Sequence, residues 1–178
     1  MENKTKKVLV IIDMQNDFIS GSLANPSAEK IVEPICEHIA KEKYDQIILT
    51  RDTHDVYYLI SPEGKKLPIE HCIEETAGWC VDSRILKALR GKNYRYENKH
   101  TFGISNWNKY YGGLNDERVE ITICGTVTSI CVISNAIIMK AQFPNATIRV
   151  ISDLCADMDD EGQAAALKVM KNCQIEVI

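Results

Sequence analysis

Six strand-like runs recur along the chain, "KKVLVIID", "DQIILTRD", "NYRYENK", "VEITICG", "ATIRVISD" and "QIEVI", and the segments between them carry helical spacing. This alternation constrains the fold more than any other feature. Runs that are mostly apolar on both faces suit a sheet covered on both sides, which is the parallel arrangement. Parallel neighbours need long crossover connections, and the intervening segments supply helices for them. Ile31, Ile35 and Ile39 form one apolar stripe in "NPSAEKIVEPICEHIAKEK", and Ile85 and Leu89 begin another in "DSRILKALRG". "SICVISNAIIMKAQF" and "DDEGQAAALKVMKN" complete the set. Asn25 and Pro26 read as N-cap and first residue of the first long helix, although Pro34 should kink or shorten it. Asp82 or Ser83 can cap the second helix, and Gly91 can end it. The irregular stretch at 52–79 is too long for a routine connection, so it is either functional or a small excursion with its own structure.

A chain of 178 residues is about the size of one domain, and residues 1–178 are read as one. No apolar run approaches the ~20 residues that span a bilayer. The opening "MENKTKKVLVIIDM" is interrupted by Asp13 and Gln15 before a signal-peptide core could form, so a cytoplasmic location is expected. Seven cysteines without a CxxC pair read as reduced thiols, at least one of which could be chemical. A net charge of −4, with no basic cluster beyond "KTKK", argues against nucleic acid as a partner.

Ligands of such sheets bind beyond the carboxyl ends of the strands. Asp13, Asp52 with His54, Lys99 and the "GTVTSIC" stretch all fall there. Each has an ordinary explanation: strand-end carboxylates form turns, most lysines are solvated, and most free cysteines are small buried hydrophobes. Taken together they supply more. Cys131 should sit in the first turn of a helix, where the dipole favours a thiolate. A thiolate nucleophile needs a base and a neighbouring cation, and Asp13 and Lys99 are of those types. Asp52, His54 and His71 form a carboxylate and imidazole set of the kind that binds zinc or iron with positions left open. His38 reads as helix surface and His100 as a loop residue.

"DMQNDF", "TRDTH", "LPIEHCIEETAGW", "KHTFG" and "CGTVTSICV" occur in this order, with "SDLCA" after them. Over almost its whole length the chain resembles the isochorismatase-like cysteine hydrolase superfamily, and most of all its nicotinamidases. The resemblance implies an α/β fold with a doubly wound, mainly parallel six-stranded sheet and helices on both faces. It also implies Asp13 as base, Lys99 as cation and Cys131 as nucleophile. An oxyanion hole from the Val127 and Cys131 N–H groups, a cis Thr126–Val127 bond and Phe18 as an aromatic wall follow from the same likeness. The cofactor implied at Asp52, His54 and His71 is a divalent transition metal, zinc first, with iron or manganese as alternatives. Two stretches depart from the nicotinamidase pattern. "HDVYYL" stands where a further metal histidine is common, and "KKLPIE" where an aromatic residue often precedes the later histidine. Trp79, Tyr57 and Tyr58 are candidates to replace that ring.

The expected activity is hydrolysis of a small carboxamide, nicotinamide being the best single choice, through a Cys131 thioester. Another hydrolase of the superfamily, such as one cleaving ureido groups, is the alternative. Isochorismate cleavage fits less well because it does not use the retained cysteine. A non-catalytic metal-binding protein would keep Asp52, His54 and His71 without a reactive Cys131. A receiver-type signalling domain is disfavoured because "VLVIIDM" lacks its acidic pair. The expected partners are a small-molecule substrate, no nucleic acid and no membrane, and a homo-oligomer is compatible with the sequence.

Overall fold

β1 (Lys6–Ile12) is buried without interruption from Val8 to Ile12, as befits a strand with neighbours on both edges and cover on both faces. In the computed structural model, which describes residues 5–108 and 118–178, β1 pairs with β2 (Gln46–Asp52) and β4 (Val119–Thr126). β3 (Tyr94–Lys99), β5 (Thr147–Ala156) and β6 (Glu176–Val177) complete one six-stranded sheet in the order β3-β2-β1-β4-β5-β6. Every pairing is parallel. β3 lies at an edge, which explains why its run is the least apolar and why Tyr94 and Tyr96 stay exposed. Lys4, the first residue of the short basic run, lies outside the described residues.

The α-helices bounded within the described residues are α1 (Asn16–Ile19), α2 (Pro26–Lys41), α3 (Ser83–Ala88), α4 (Ile133–Gln142) and α5 (Asp160–Asn172). α2 packs with α3, and α4 with α5. Successive strands step one way from β1 to β3 and the other way from β4 to β6. Right-handed crossovers therefore put the two helix pairs on opposite faces. Among the described residues no helix is long and apolar enough to cross a membrane.

α2 buries Ala28, Ile31, Val32, Ile35 and Ile39 as its spacing requires, and Asn25 caps it by accepting the Ser27 N–H at 2.9 Å. α2 is not shortened at Pro34 but continues past it to Lys41. Pro34 lies on the exposed face, so the Lys30 carbonyl left without a helical partner is on the solvent side, where water can satisfy it. Asp82 caps α3 through the Arg84 N–H at 2.8 Å. The Arg84 guanidinium then reaches back to both oxygens of Glu29, at 2.7 and 2.9 Å, and fastens α3 to α2. Gly91 ends that region with φ +75°, a left-handed conformation that glycine adopts without strain.

The strand order reverses between β1 and β4, which opens a crevice beyond their carboxyl ends. β4 reaches that crevice through Gly125, at φ +121°, where a Cβ would lie 2.1 Å from the Ile12 carbonyl oxygen. Only glycine allows β4 to pass so close to β1 at this point.

Candidate active site

Asp13 follows β1 directly and turns the chain out of the sheet with a left-handed φ of 48°. Its side chain is fully buried. Oδ1 accepts a hydrogen bond from the Thr50 hydroxyl at 2.6 Å, and Oδ2 lies 2.7 Å from the ammonium of Lys99. Lys99 ends β3, also buried, and its Nζ lies 3.0 Å from Asp52 Oδ1 and 3.4 Å from the Cys131 sulfur. The parallel register explains the convergence: Asp52 pairs with Lys99 across β2 and β3, while Asp13 and the β4 turn lie beyond the neighbouring strand ends. Asp13, Lys99 and Cys131, far apart in sequence, thus meet around one ammonium.

The electrostatics follow from this burial. Desolvation pushes the Asp13 carboxyl above the ordinary aspartate value, and Lys99 offsets this only in part. Burial works against the Lys99 charge, but Asp13, Cys131 and Asp52 outweigh it and raise its pKa well above that of a free lysine. Burial, then the Asp13 charge, also raises the Cys131 thiol. The expectation of a dipole-favoured thiolate is corrected accordingly. Burial and the Asp13 carboxylate oppose ionisation of the thiol more than the Lys99 ammonium favours it.

Cys131 lies not in a regular first turn but in a π-helical turn, Thr128–Val132, that leads into α4. The Thr126–Val127 peptide bond before it is cis. This turn is held from the residue that follows β5 and from α5. Asp157 accepts the Ser129 N–H at 2.6 Å and its hydroxyl at 3.0 Å, and the Thr128 hydroxyl donates to Gln163 at 2.6 Å. "SDLCA" ends just before Asp157, so the sequence contained the segment but not its bracing role.

Asp52, His54 and His71 converge as the sequence suggested. His54 Nε2 lies 3.1 Å and His71 Nε2 3.5 Å from Asp52 Oδ2. Glu63, from the irregular segment, joins them with Oε1 3.8 Å from His54 Nε2, and one ligand atom from each of the four residues lies within 4.8 Å of the others. His71 Nδ1 is 2.8 Å from the Ile69 carbonyl, which can only accept, so Nδ1 carries a proton and Nε2 is the ring atom that faces the cluster. Burial opposes ionisation of Asp52, yet bonds with His54 and His71 and the charge of Lys99 hold its pKa far below the ordinary value. Two imidazoles and two carboxylates facing one point fit a divalent transition metal.

The stretch at 52–79 therefore carries all four residues of this cluster. It is tied down by the polar run that follows β1. Gln15, fully buried, donates to the Asp52 and Trp79 carbonyls, both at 2.9 Å, and accepts the Asp52 N–H at 2.7 Å. Asp17 accepts the Cys72 N–H at 2.7 Å, and Asn16 donates to the Ala77 carbonyl at 2.7 Å.

A cavity of about 270 Å³ adjoins these groups, lined by Phe18, Val127, Cys131, Asp52, Glu63 and His71 among others. Most of its remaining wall is apolar, from Leu23, Leu67, Phe102, Ile130 and Met158. Phe18 stands where expected, 5.8 Å from the His71 ring. None of the three candidates for the second ring lines the cavity. Trp79 stacks on the Arg51 guanidinium at 3.7 Å, Tyr57 is exposed, and Tyr58 packs behind His54 and His71 at 4.5 and 4.9 Å. Phe102 supplies the ring instead, and its place in "KHTFG", three residues after Lys99, was the available signal. His38 is half-buried against the Tyr44 hydroxyl at 2.7 Å, and His100 reaches the Thr53 carbonyl at 2.9 Å, so both stand apart from the cluster.

Residues 7–178 match the family model described as Isochorismatase domain, and the chain belongs to that family. It is 29% identical to the nicotinamidase of Saccharomyces cerevisiae in a match that covers 62% of this chain and 62% of that protein. It is 25% identical to the nicotinamidase/pyrazinamidase of Mycobacterium tuberculosis over 97% of this chain and 98% of that one. Among solved structures, PnC1 from L. infantum in complex with nicotinate superimposes with a TM-score of 0.82, over 98% of this chain and 92% of the other, at 21% identity. The pyrazinamidase of Pyrococcus horikoshii in complex with zinc gives 0.75 over 97% and 98%, at 22% identity. Both are likenesses of fold.

Proposed function

We propose that the chain hydrolyses the amide bond of a small aromatic carboxamide, nicotinamide first, to the carboxylate and ammonia. The observation that carries this is the shared Lys99 ammonium, 2.7 Å from Asp13 and 3.4 Å from the Cys131 sulfur, at the wall of a small apolar cavity. The names of the yeast and mycobacterial relatives support the same substrate.

Asp13 takes the thiol proton as the Cys131 sulfur attacks the carbonyl carbon, and Lys99 stabilises the charge that passes between them. The Val127 and Cys131 N–H groups receive the oxyanion. Asp13 returns the proton to the amide nitrogen, ammonia leaves, and a thioester remains. Water, deprotonated by Asp13, then releases the acid and restores the thiol. Asp52, His54, Glu63 and His71 would hold the metal, zinc in our reading. Such an ion supplies Lewis acidity and a coordination position for the pyridine nitrogen.

A ureido acid is the competing substrate, and the wall argues against it. Among the described residues the cavity lining includes Asp52 and Glu63 but no lysine or arginine, and the adjacent Lys99 ammonium is already shared by Asp13 and Asp52 rather than free to meet a substrate carboxylate. Ammonia release from nicotinamide, benzamide, an aliphatic amide and an N-carbamoyl amino acid tests the reading. Nicotinamide should be turned over fastest; brisk ammonia release from the carbamoyl compound with none from nicotinamide would reject it.

A further inference from the structure

Asp13 has two carboxylate oxygens, and their surroundings differ. Thr50, fully buried on β2, contacts the residue twice: Oγ1 accepts the Asp13 backbone N–H at 3.1 Å and lies 2.6 Å from Oδ1. Because the hydroxyl oxygen already receives a proton from the backbone, its own proton must point to Oδ1. The short separation is that of a charge-assisted O–H···O bond. Oδ2 is buried, meets the Lys99 ammonium at 2.7 Å and has no aligned hydrogen-bond donor among the described residues.

We propose that Thr50 is a positioning residue that makes Oδ2 the only proton-accepting atom of Asp13 and fixes how readily it accepts. This rests on Asp13 being the base. As the sulfur–carbon bond forms, the carbonyl electron pair moves to oxygen and the thiol proton moves to Oδ2. The same proton then passes to the departing nitrogen, so Oδ1 never carries it. Protonating Oδ1 would require the Thr50 hydroxyl to turn its own proton away and give up its 2.6 Å bond to that oxygen, a cost that protonating Oδ2 does not carry. The left-handed backbone of Asp13, at φ 48°, depends on that same contact to stay in place. The charged and titratable groups that face Asp13 are Lys99, Cys131 and, farther off, Asp52 and the buried Cys72 thiol, and Thr50 is the neutral donor among them. Losing a hydrogen bond to the ionised carboxylate makes Asp13 more basic.

Thr50→Val keeps the shape and removes the hydroxyl, Thr50→Ala is the second hydroxyl-free variant, and Thr50→Ser restores the donor. With metal at saturation, the acid limb of kcat/KM for nicotinamide should move up by about one pH unit in the Val and Ala variants. The plateau above it should fall about tenfold, with KM nearly unchanged, and Thr50→Ser should recover both. A uniform loss at every pH, with the limb unmoved in the folded Val or Ala variant, would overturn the proposal. Iodoacetamide alkylation of Cys131, read by peptide mapping, gives the same limb without substrate. If Asp13→Asn leaves that limb in place, Asp13 is not the base and the underlying reading fails instead.

Discussion

Replacing Lys99 with Met removes the ammonium on which the site is built while keeping most of the side-chain volume. The Lys99 side chain is 1% exposed, Asp13 0% and Asp52 6%, so the variant leaves two carboxylates with almost no water to replace the lost charge. Breaking one buried ion pair by removing a partner costs about 3–5 kcal/mol. Two acids share this cation, which places the expected loss in the upper half of that range. Natural domains have stabilities of about 5–15 kcal/mol, so this is a large fraction of the total. With a urea m-value of about 2 kcal/mol/M, the midpoint should fall by about 2 M. The pH dependence carries the diagnosis. Without the ammonium, the folded-state pKa of Asp13 rises still further above its unfolded value, so the folded variant binds the proton more tightly than the unfolded chain does. The penalty is then full above the folded pKa and recovers as pH falls through it towards the unfolded value. Urea titrations with a chelator present, at pH 8 and pH 5.5, should show the gap to the wild type shrinking at the lower pH. An equal gap at both pH values, or a loss under about 1 kcal/mol, would refute the reasoning.

Gln15→Ala removes three buried hydrogen bonds to the 52–79 segment, and should cost about 2–4 kcal/mol and weaken metal binding, as followed by thermal unfolding and metal titration. Arg84→Ala unpins α3 from α2 at a site about one-third exposed, so stability should fall by only about 1 kcal/mol and turnover should not change. Elemental analysis of protein purified without added metal should find about one divalent transition ion per chain, reduced by Glu63→Ala as well as by His54→Ala. Nicotinamide should react much faster than benzamide, which lacks the ring nitrogen, and chelation should narrow the gap; comparable rates with metal present would remove the metal from substrate recognition.

The strands and the convergence of Asp13, Lys99 and Cys131 were legible because strand ends can be read from short runs of sequence. A buried parallel strand must be apolar along its length, and Asp13, Lys99 and Cys131 mark the sheet's carboxyl edge once the strands are found. Glu63 was not legible. It lies in an irregular segment whose path is set by Gln15 and Asp17 hydrogen bonds rather than by any period, and nothing about an isolated glutamate there distinguishes it from a solvated one. Tyr58 illustrates the converse. Its ring was noticed as a candidate for the substrate wall, but packing turned it behind the histidines, with its hydroxyl on the Leu67 carbonyl at 3.0 Å. At Pro34 the sequence shows the missing N–H but not that the helix face there is exposed, which is what lets α2 run on to Lys41.

The central claim, a thioester formed on Cys131, is tested most directly by ammonia release from nicotinamide by the Cys131→Ala variant, with circular dichroism confirming the fold. The substitution removes the sulfur and little volume, and the turn that carries it is braced by Asp157 and Gln163, so the variant should fold. Turnover should fall by on the order of 10⁴-fold or more, as for other enzymes deprived of their nucleophile; a folded variant retaining turnover within about tenfold of the wild type would contradict the account.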